Sequence, residues 1–311
     1  MRLFSTKKRP VHMGPYPTER LKRGGMPDLT EVPPMCALSF RRPEAPESIV
    51  NAMCEYQAML DAIRDGMINK AVSEIPVDPK ERTDHLKAFG FFSDASMVGV
   101  CRLQDTDLLS KPFNNPDIAH LAEALRTRQT KTLAAGIDGI MADLKESMEA
   151  PPTTINGHTH ALIFLYENPR DIRSDEPGTD WLKDALNHRA CLRANETAAV
   201  IANYIRLLGY DAKSHSGSAS DVDLNQLAVT AGLVWCIKGQ LIAPYIGSSF
   251  GLAAVTCTLD LSVDSPLASE HEQPWFKTKG PAWWLGKGFS KNAMNRDPYT
   301  KRRLVDGAHP F

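Results

Sequence analysis

The sequence of 311 residues has no closely spaced cysteines, which removes several kinds of site at once. Its six cysteines lie far apart, at Cys36, Cys54, Cys101, Cys191, Cys236 and Cys257, and none follows Cys257. Zinc ribbons, iron-sulfur cluster loops and redox Cys-x-x-Cys motifs need cysteines only a few residues apart. The spacing therefore predicts free thiols in a reducing compartment and no iron-sulfur cluster in this chain.

Long apolar runs and a secretion signal are also missing. The longest apolar stretches, such as AVIANYIRLLGY, are too short for a membrane span and carry charge. The first 25 residues are basic but lack the apolar core of an export signal. We therefore expect a cytoplasmic protein without a membrane partner.

Positive charge is absent from residues 239 to 276 and concentrated at the two ends of the chain. Residues 1–25 carry seven Lys and Arg against one Glu, and residues 277–311 carry eight against two Asp, so each end has a net charge of +6. Such ends allow an anion or nucleic-acid binder as one class of function. They lack the interleaved aromatic residues of a base-stacking surface, which makes nucleic acid the weaker alternative and favours ends that wrap their own body or a partner subunit.

The distribution of Pro, Gly and hydrophobic periodicity divides the chain into three parts. Residues 1–48 read as an extended basic arm, residues 49–268 as the folded domain, and residues 269–311 as a Trp-rich basic tail. Helices and strands alternate in the domain without a regular βαβ repeat, which predicts an α+β fold. The main predicted elements are a helix from Ile49 with Ile49, Met53, Tyr56 and Leu60 one turn apart, strands at Met97–Leu103 and in HTHALIFLYENP, a long helix from Thr179 or Asp180 to Gly209, a helix in DVDLNQLAVTAGLV, and two strands in KGQLIAPYIG and FGLAAVTCTLDLSV joined by a turn at 247–249.

Three familiar site motifs are incomplete. GPAWWLGKG has five residues between its first two glycines where a phosphate loop needs four, and Gly288 stands at the Ser or Thr position. His158 and His160 have no third ligand nearby, which favours a structural pair over a metal site. His215, Ser216 or Ser218, and Asp221 supply the residue types of a catalytic triad without a nucleophile elbow, which favours an ordinary polar loop.

The tail contains an aromatic cluster at irregular spacing. Such a cluster among Lys and Gly residues indicates a docking surface rather than a helix face or a strand. Its members are Trp275, Phe276, Trp283, Trp284 and Phe289.

Four segments, in order, resemble the corrinoid-binding domain of reductive dehalogenases. They are AAVIANYIRLLGYDA, LNQLAVTAGLV, KGQLIAPYIG and LAAVTCTLDLSVDSPL, and LKAFGFFSDASMVGVCRL and ALIFLYENP are similar to earlier segments of that domain. The similarity covers residues 86 to 268, and RPVHMGPYPTERLKR resembles the arm of cytoplasmic family members. The resemblance implies a nitroreductase-like α+β fold in which the corrinoid lies over the sheet. If cobalamin binds, the residues that would contact it are Tyr210, His215, Ser216, Gly217, Ser218, Gly247, Ser248 and Ser249.

The sequence departs from the family at the positions that carry chemistry. The resemblance implies a proton-donating Tyr before the long helix and a Lys or Arg after the PxxG turn, where the cation favours phenolate character. Here the first position falls near Cys191 or Arg193 and the second near Gly251, so both catalytic residues are missing. The cysteine-rich loops that hold two iron-sulfur clusters in the family are missing as well.

The leading hypothesis is a degenerate, non-catalytic reductive-dehalogenase-like subunit. It would pair with a catalytic chain that carries cobalamin and iron-sulfur clusters, through the Trp-rich tail and the basic arm, or form a homo-oligomer. The alternative is a cobalamin-binding oxidoreductase that takes electrons from a separate iron-sulfur protein. Cobalamin is the only cofactor that the resemblance leaves open, and no metal ligand set is predicted.

Overall fold

A computed structural model describes residues 9–38, 48–127, 154–168, 173–182, 185–269 and 272–273. The helices are α1 (Ile49–Ala62), α2 (Pro79–Phe92), α3 (Asp117–Thr127), α4 (Thr179–Leu182), α5 (Leu186–Leu207) and α6 (Leu224–Thr230). The strands are β1 (Met97–Arg102), β2 (Leu108–Phe113), β3 (His160–Glu167), β4 (Ala212–His215), β5 (Ser220–Val222), β6 (Trp235–Ile237), β7 (Gln240–Ile242) and β8 (Phe250–Cys257). Helices flank antiparallel strands, so the predicted α+β class is confirmed.

The centre of the fold is a four-stranded antiparallel sheet in the order β1-β3-β8-β4. Strand β3 lies within the predicted HTHALIFLYENP strand, and seven of its eight residues are buried. A continuous apolar run suits a central strand because both of its faces meet other side chains.

Side chains and helices cover both faces of this sheet. On one face, α2 and α5 pack against Val100, Leu162, Phe164 and Val255. On the other face, α6 and the N-terminal arm pack against Met97, Ile163, Leu165 and Ala254. Each fully buried side chain of this size contributes about 1.5–3 kcal/mol, which makes the two layers the main source of stability.

The long helix differs from its prediction at its start and agrees with it at its end. Instead of one helix from Thr179, the one-turn α4 precedes α5, and Ala185 lies between them outside either helix. Helix α5 ends at Leu207, two residues before Gly209, whose φ of +92° supplies the left-handed conformation that follows a helix end.

Helix α1 begins where it was predicted, but the predicted apolar stripe is wrong as its buried face. Ile49 and Tyr56 are exposed, whereas the buried side of α1 carries Cys54, Gln57 and Asp61. The two polar residues are buried because they bond to polar groups of other elements. The periodicity of apolar residues therefore indicated the wrong face of this helix.

The two strands predicted after Lys238 exist but do not form a hairpin with each other. Strand β7 pairs with β6 through a turn at Lys238 and Gly239, which have φ values of +52° and +73°. Positive φ at both central residues is typical of a two-residue hairpin turn. Strand β8 instead lies between β3 and β4 in the main sheet.

The described part of the N-terminal arm lies along the folded domain. Tyr16 stacks on Tyr245 with ring centroids 5.6 Å apart, and its hydroxyl donates to Glu167. The backbone N–H of Leu38 donates to the carbonyl of Gly217. The arm therefore contributes directly to the layer that covers the second face of the sheet.

Among the helices in these ranges, none combines the length and the apolar composition needed to cross a bilayer.

Candidate functional site

The two positions where the resemblance implies catalytic residues do meet in space. Cys191 lies on α5 and Gly251 on β8, where the helix crosses the strand at very short range. A Cβ atom on Gly251 would lie 2.5 Å from the backbone nitrogen of Cys191 and 2.6 Å from the carbonyl carbon of Ala190. These are backbone atoms in a helix, so they cannot move aside as a side chain would. The site implied for a Lys or Arg thus has no room for a side chain of any size.

Cys191 does not offer replacement chemistry at this contact. Desolvation by burial raises the pKa of the Cys191 thiol to about 12. A thiol with such a pKa stays protonated near neutral pH and is a poor nucleophile and metal ligand.

A phenol and a guanidinium still meet close to this contact, supplied by residues that sequence reasoning missed. Tyr166 on β3 lies opposite Gly251 in the sheet register. Its hydroxyl lies 2.6 Å from the carbonyl oxygen of Ser93 and 2.6 Å from Thr197 Oγ1. Because a carbonyl only accepts, the phenol donates its one proton to Ser93 and accepts from Thr197. Arg193 donates to the same carbonyl at 3.3 Å.

The Tyr166 phenol is held in its neutral form. Burial raises its pKa, and this effect outweighs the hydrogen bond from Thr197 and the positive charge of Arg193. The resemblance implies a cation that favours the phenolate, whereas the surroundings of Tyr166 favour the neutral phenol. Tyr166 therefore ties α5 to the corner between α2 and β1, with its proton committed to a backbone carbonyl.

The serines of the predicted cofactor loop face Asp61, a buried residue at the end of α1. Ser216 donates to Asp61 Oδ1 at 2.7 Å, and Ser218 donates to Asp61 Oδ2 at 2.6 Å. Asn195 donates to Oδ1 and Asn115 to Oδ2, each at 2.8 Å. Gln57 Nε2 adds longer bonds to both oxygens, at 3.2 and 3.4 Å, so each carboxylate oxygen receives one hydroxyl and two amide hydrogen bonds. Together these bonds join α1, α5, the segment before α3 and the loop after β4.

This arrangement suits an ionised carboxylate. Ser216 Oγ already accepts from the backbone N–H groups of Ser218 and Ala219, so its own proton is directed at Asp61. Burial raises the pKa of Asp61, and the hydrogen bonds from Ser218 and Ser216 oppose that rise. No sequence motif marked Asp61, because these partners come from three segments that are distant from α1 in the sequence.

The structure does not assemble the Ser-His-Asp triad. His215 is fully buried, and its Nδ1 accepts from the backbone N–H of Asp221 at 3.2 Å. Its Nε2 lies 2.8 Å from Thr256 Oγ1. The Asp221 carboxylate is engaged by Arg64 at 3.1 Å and Lys213 at 2.9 Å. Because Ser216 and Ser218 donate to Asp61, neither is available as a nucleophile. This segment is a polar loop, as the sequence favoured.

The paired histidines before β3 also have protein partners. His158 Nδ1 lies 2.7 Å from Thr256 Oγ1, and His160 Nδ1 lies 2.9 Å from Thr159 Oγ1. Within the part of the chain that the structure describes, no group of three or more His, Cys, Asp or Glu side chains is arranged to hold a metal ion.

The predicted cobalamin contacts are spread along the main sheet, because His215 pairs with Ala254 in the middle of β8 and Ser216 to Ser218 follow it. Tyr210 precedes β4 at the end where Ala212 pairs with Cys257. Gly247 to Ser249 precede the opposite end of β8, about 25 Å away for a strand of this length. Asn168 donates to Ser249 Oγ at 2.9 Å there. The aromatic cluster of the tail lies outside the described residues.

A corrinoid ring laid over the sheet needs an uncovered face. Among the described residues, one face is filled by α2 and α5 and the other by α6 and the arm. The residues present therefore do not fit a corrinoid on either face without displacement of a packed layer.

Comparison with known proteins gives matches among solved structures. The chain is similar to the catabolic reductive dehalogenase NpRdhA in complex with 3-bromo-4-hydroxybenzoic acid, with a TM-score of 0.67 and 29% identity over 92% of this chain and 34% of that chain. It is similar to a reductive dehalogenase whose structure suggests a mechanism for B12-dependent dehalogenation, with a TM-score of 0.65 and 29% identity over 96% of this chain and 38% of that chain. No protein-family model and no curated protein matches the sequence.

The chain spans little more than a third of the length of these relatives. The sequence motifs had predicted this resemblance, and the comparison confirms it. The chain is thus a structural relative of the reductive dehalogenases and shares their fold over more than nine-tenths of its own length.

Proposed function

We propose that this chain is a non-catalytic, reductive-dehalogenase-like unit that supports a separate catalytic chain. The catalytic chain would carry the cobalamin and the iron-sulfur clusters. The observation that carries the proposal is the contact between Gly251 and α5, where a Cβ would lie 2.5 Å from a helix backbone nitrogen. An enzyme site needs open space for substrate beside its reacting groups, and here that space is filled by main chain.

The chemistry of the surrounding residues supports the same proposal. The Tyr166 phenol has a raised pKa and bonds to Ser93, so it is not poised to give a proton to a substrate. We further propose that the α+β fold is of the nitroreductase-like type and that both faces of its sheet have become structural. The domain would then retain the shape of a dehalogenase unit without its reaction.

The partner would be a catalytic reductive dehalogenase chain that binds through the tail and the basic arm. The three Trp and two Phe residues of the aromatic cluster in the tail are the kind of anchors that dominate protein interfaces. The net charge of +6 on residues 277–311 favours an acidic docking surface.

Coexpression with a catalytic reductive dehalogenase from the same genome tests the supporting role. With an affinity tag on this chain, we expect the catalytic chain to elute with it, together with cobalt and iron that belong to the partner. The double variant Trp283→Ala, Trp284→Ala is expected to weaken the complex by at least about tenfold, because interface tryptophans are often worth 2 kcal/mol or more.

The matched control is Trp181→Ala, which removes an exposed tryptophan of the described domain that is 61% accessible. This variant is expected to bind as the parent chain does. A catalytic chain that elutes separately at micromolar concentrations of both proteins would contradict the supporting role.

A further inference from the structure

Two buried histidines share one threonine hydroxyl between β3 and β4. Thr256 Oγ1 lies 2.7 Å from His158 Nδ1 and 2.8 Å from His215 Nε2. The His158 and His215 side chains are 1% and 0% exposed. A hydroxyl has one proton and two lone pairs, so it can accept from both imidazoles but can donate to only one of them.

The backbone and one carboxylate determine the direction of these hydrogen bonds. The N–H of Asp221 donates to His215 Nδ1 at 3.2 Å, and an N–H group cannot accept. Neutral His215 therefore carries its proton on Nε2 and donates it to Thr256. The Asp211 carboxylate lies 3.4 Å from His158 Nε2 and favours the His158 proton on that nitrogen, so His158 Nδ1 accepts from the Thr256 hydroxyl.

The chain of donors ends at the protein surface. His158 Nε2 faces Asp211 Oδ2 at 3.4 Å, and the Asp211 side chain is 40% exposed. Every donor points in one sense, from the Asp221 backbone through His215, Thr256 and His158 toward the Asp211 carboxylate.

We propose that this chain of hydrogen bonds is an acid-sensitive lock that holds the edge strand β4 and the loop after it. The lock requires both imidazoles to be neutral. A proton on His158 Nδ1 removes the acceptor of the Thr256 hydroxyl, and a proton on His215 Nδ1 removes the acceptor of the Asp221 N–H. Either event leaves a buried donor without a partner, which costs more than the hydrogen bond itself contributed.

The charged groups around the two imidazoles have opposing effects on their protonation. Asp211 and Asp65 face His158 and favour its protonation, whereas Lys213 disfavours it. Arg64, Lys213 and the His158 ring disfavour a charge on His215, whereas the Asp221 carboxylate, 3.7 Å from His215 Nδ1, favours one. Burial is the largest effect for both rings, and it lowers the pKa of His158 and lowers that of His215 further.

The direction of the pH effect follows from these shifts. Because both pKa values are lower in the folded state than in the unfolded chain, the folded state binds fewer protons. The contribution to stability is thus complete above the unfolded value of about 6.5 and is lost as pH falls below it. Acid then releases β4 and the Ser216–Ser218 loop.

Nitrogen-15 spectra of histidine-labelled protein at about pH 7.5 test the lock directly, well above the unfolded histidine pKa. We expect His158 and His215 both as Nε2–H tautomers. Thr256→Val, which keeps the shape and removes the hydroxyl, is expected to give mixed tautomers at His158. Thr256→Ser, which keeps the hydroxyl, is expected to retain the parent spectrum. An Nδ1–H tautomer at His158 in the parent protein, or identical spectra for the two variants, would overturn the proposal.

Denaturant midpoints provide a second test, which does not depend on the Val variant folding. The midpoint of the parent chain is expected to fall between about pH 7.5 and about pH 5.5, on either side of the unfolded histidine pKa. In His158→Gln, which still accepts a hydrogen bond but does not titrate, the fall is expected to be clearly smaller. An equal fall in the parent and in His158→Gln would count against the lock.

Discussion

Gly251→Ala is expected to lower the free energy of unfolding by about 3 kcal/mol, the upper end of the usual cost of overpacking. The added Cβ would lie 2.5 Å from the Cys191 nitrogen and 2.6 Å from the Ala190 carbonyl carbon. Relief requires α5 to move away from β8, which opens the buried layer on that face of the sheet. Chemical denaturation monitored by circular dichroism measures the change.

Gly157→Ala is the matched control for this substitution. Gly157 is exposed, and the nearest atom to its added Cβ is Thr258 Cγ2 at 3.9 Å, an ordinary contact. The control is expected to change stability by no more than about 0.5 kcal/mol. If Gly251→Ala were as stable as this control, α5 would not be in close contact with β8 and the site would not be closed.

Asp61→Asn is expected to destabilise the chain by about 4 kcal/mol, because two buried donors lose their acceptors at about 1–3 kcal/mol each. In the parent chain, each Asp61 oxygen accepts from one serine hydroxyl and one asparagine amide. Whichever oxygen the new side-chain nitrogen replaces, it would face one such pair of donors. Urea titration with the intrinsic fluorescence of the protein measures the loss.

Asp94→Asn makes the same chemical change at a site that is 83% exposed in its side chain. Asp94 has a φ of +69°, a conformation that Asn tolerates as well as Asp. The control loses only a surface ion pair with Arg193 and is expected to stay within about 0.5 kcal/mol of the parent chain. Equal stability of the two variants would show that the bonds to Asp61 do not join the elements around it.

The apolar parts of the fold could be predicted from the sequence because they follow simple periodicities. The uninterrupted apolar run of β3 indicated a central strand, and Gly209 marked the end of α5. Asp223 marked the start of α6, where its side chain accepts from the N–H groups of Asn225 and Gln226. These signals lie within a few residues of the feature that they predict.

The polar parts could not be predicted in this way, because their partners are distant in sequence. Asp61 is joined to residues 54, 134, 155 and 157 positions away, and no local pattern encodes such a set. Buried polar residues on α1 also explain why its apolar stripe indicated the wrong face. Tyr166 was hidden in the same way, since in the sequence it is one more member of an apolar strand.

The absence of a cation between residues 239 and 276 was the sequence feature most closely related to the site. It indicated that the position near Gly251 could not act as the family resemblance implies. The structure adds the physical reason, because the approach of α5 leaves space for a hydrogen atom only.

The non-catalytic role proposed for this chain is tested most directly by cobalt analysis of the purified chain after incubation with hydroxocobalamin. The sample is passed through a desalting column, and its visible absorption spectrum is recorded beside the metal analysis. A filled site on both faces of the sheet predicts a colourless protein with cobalt far below one atom per chain. One cobalt atom per chain, with a corrinoid spectrum that survives desalting, would show that a cofactor site is retained and would contradict the non-catalytic role.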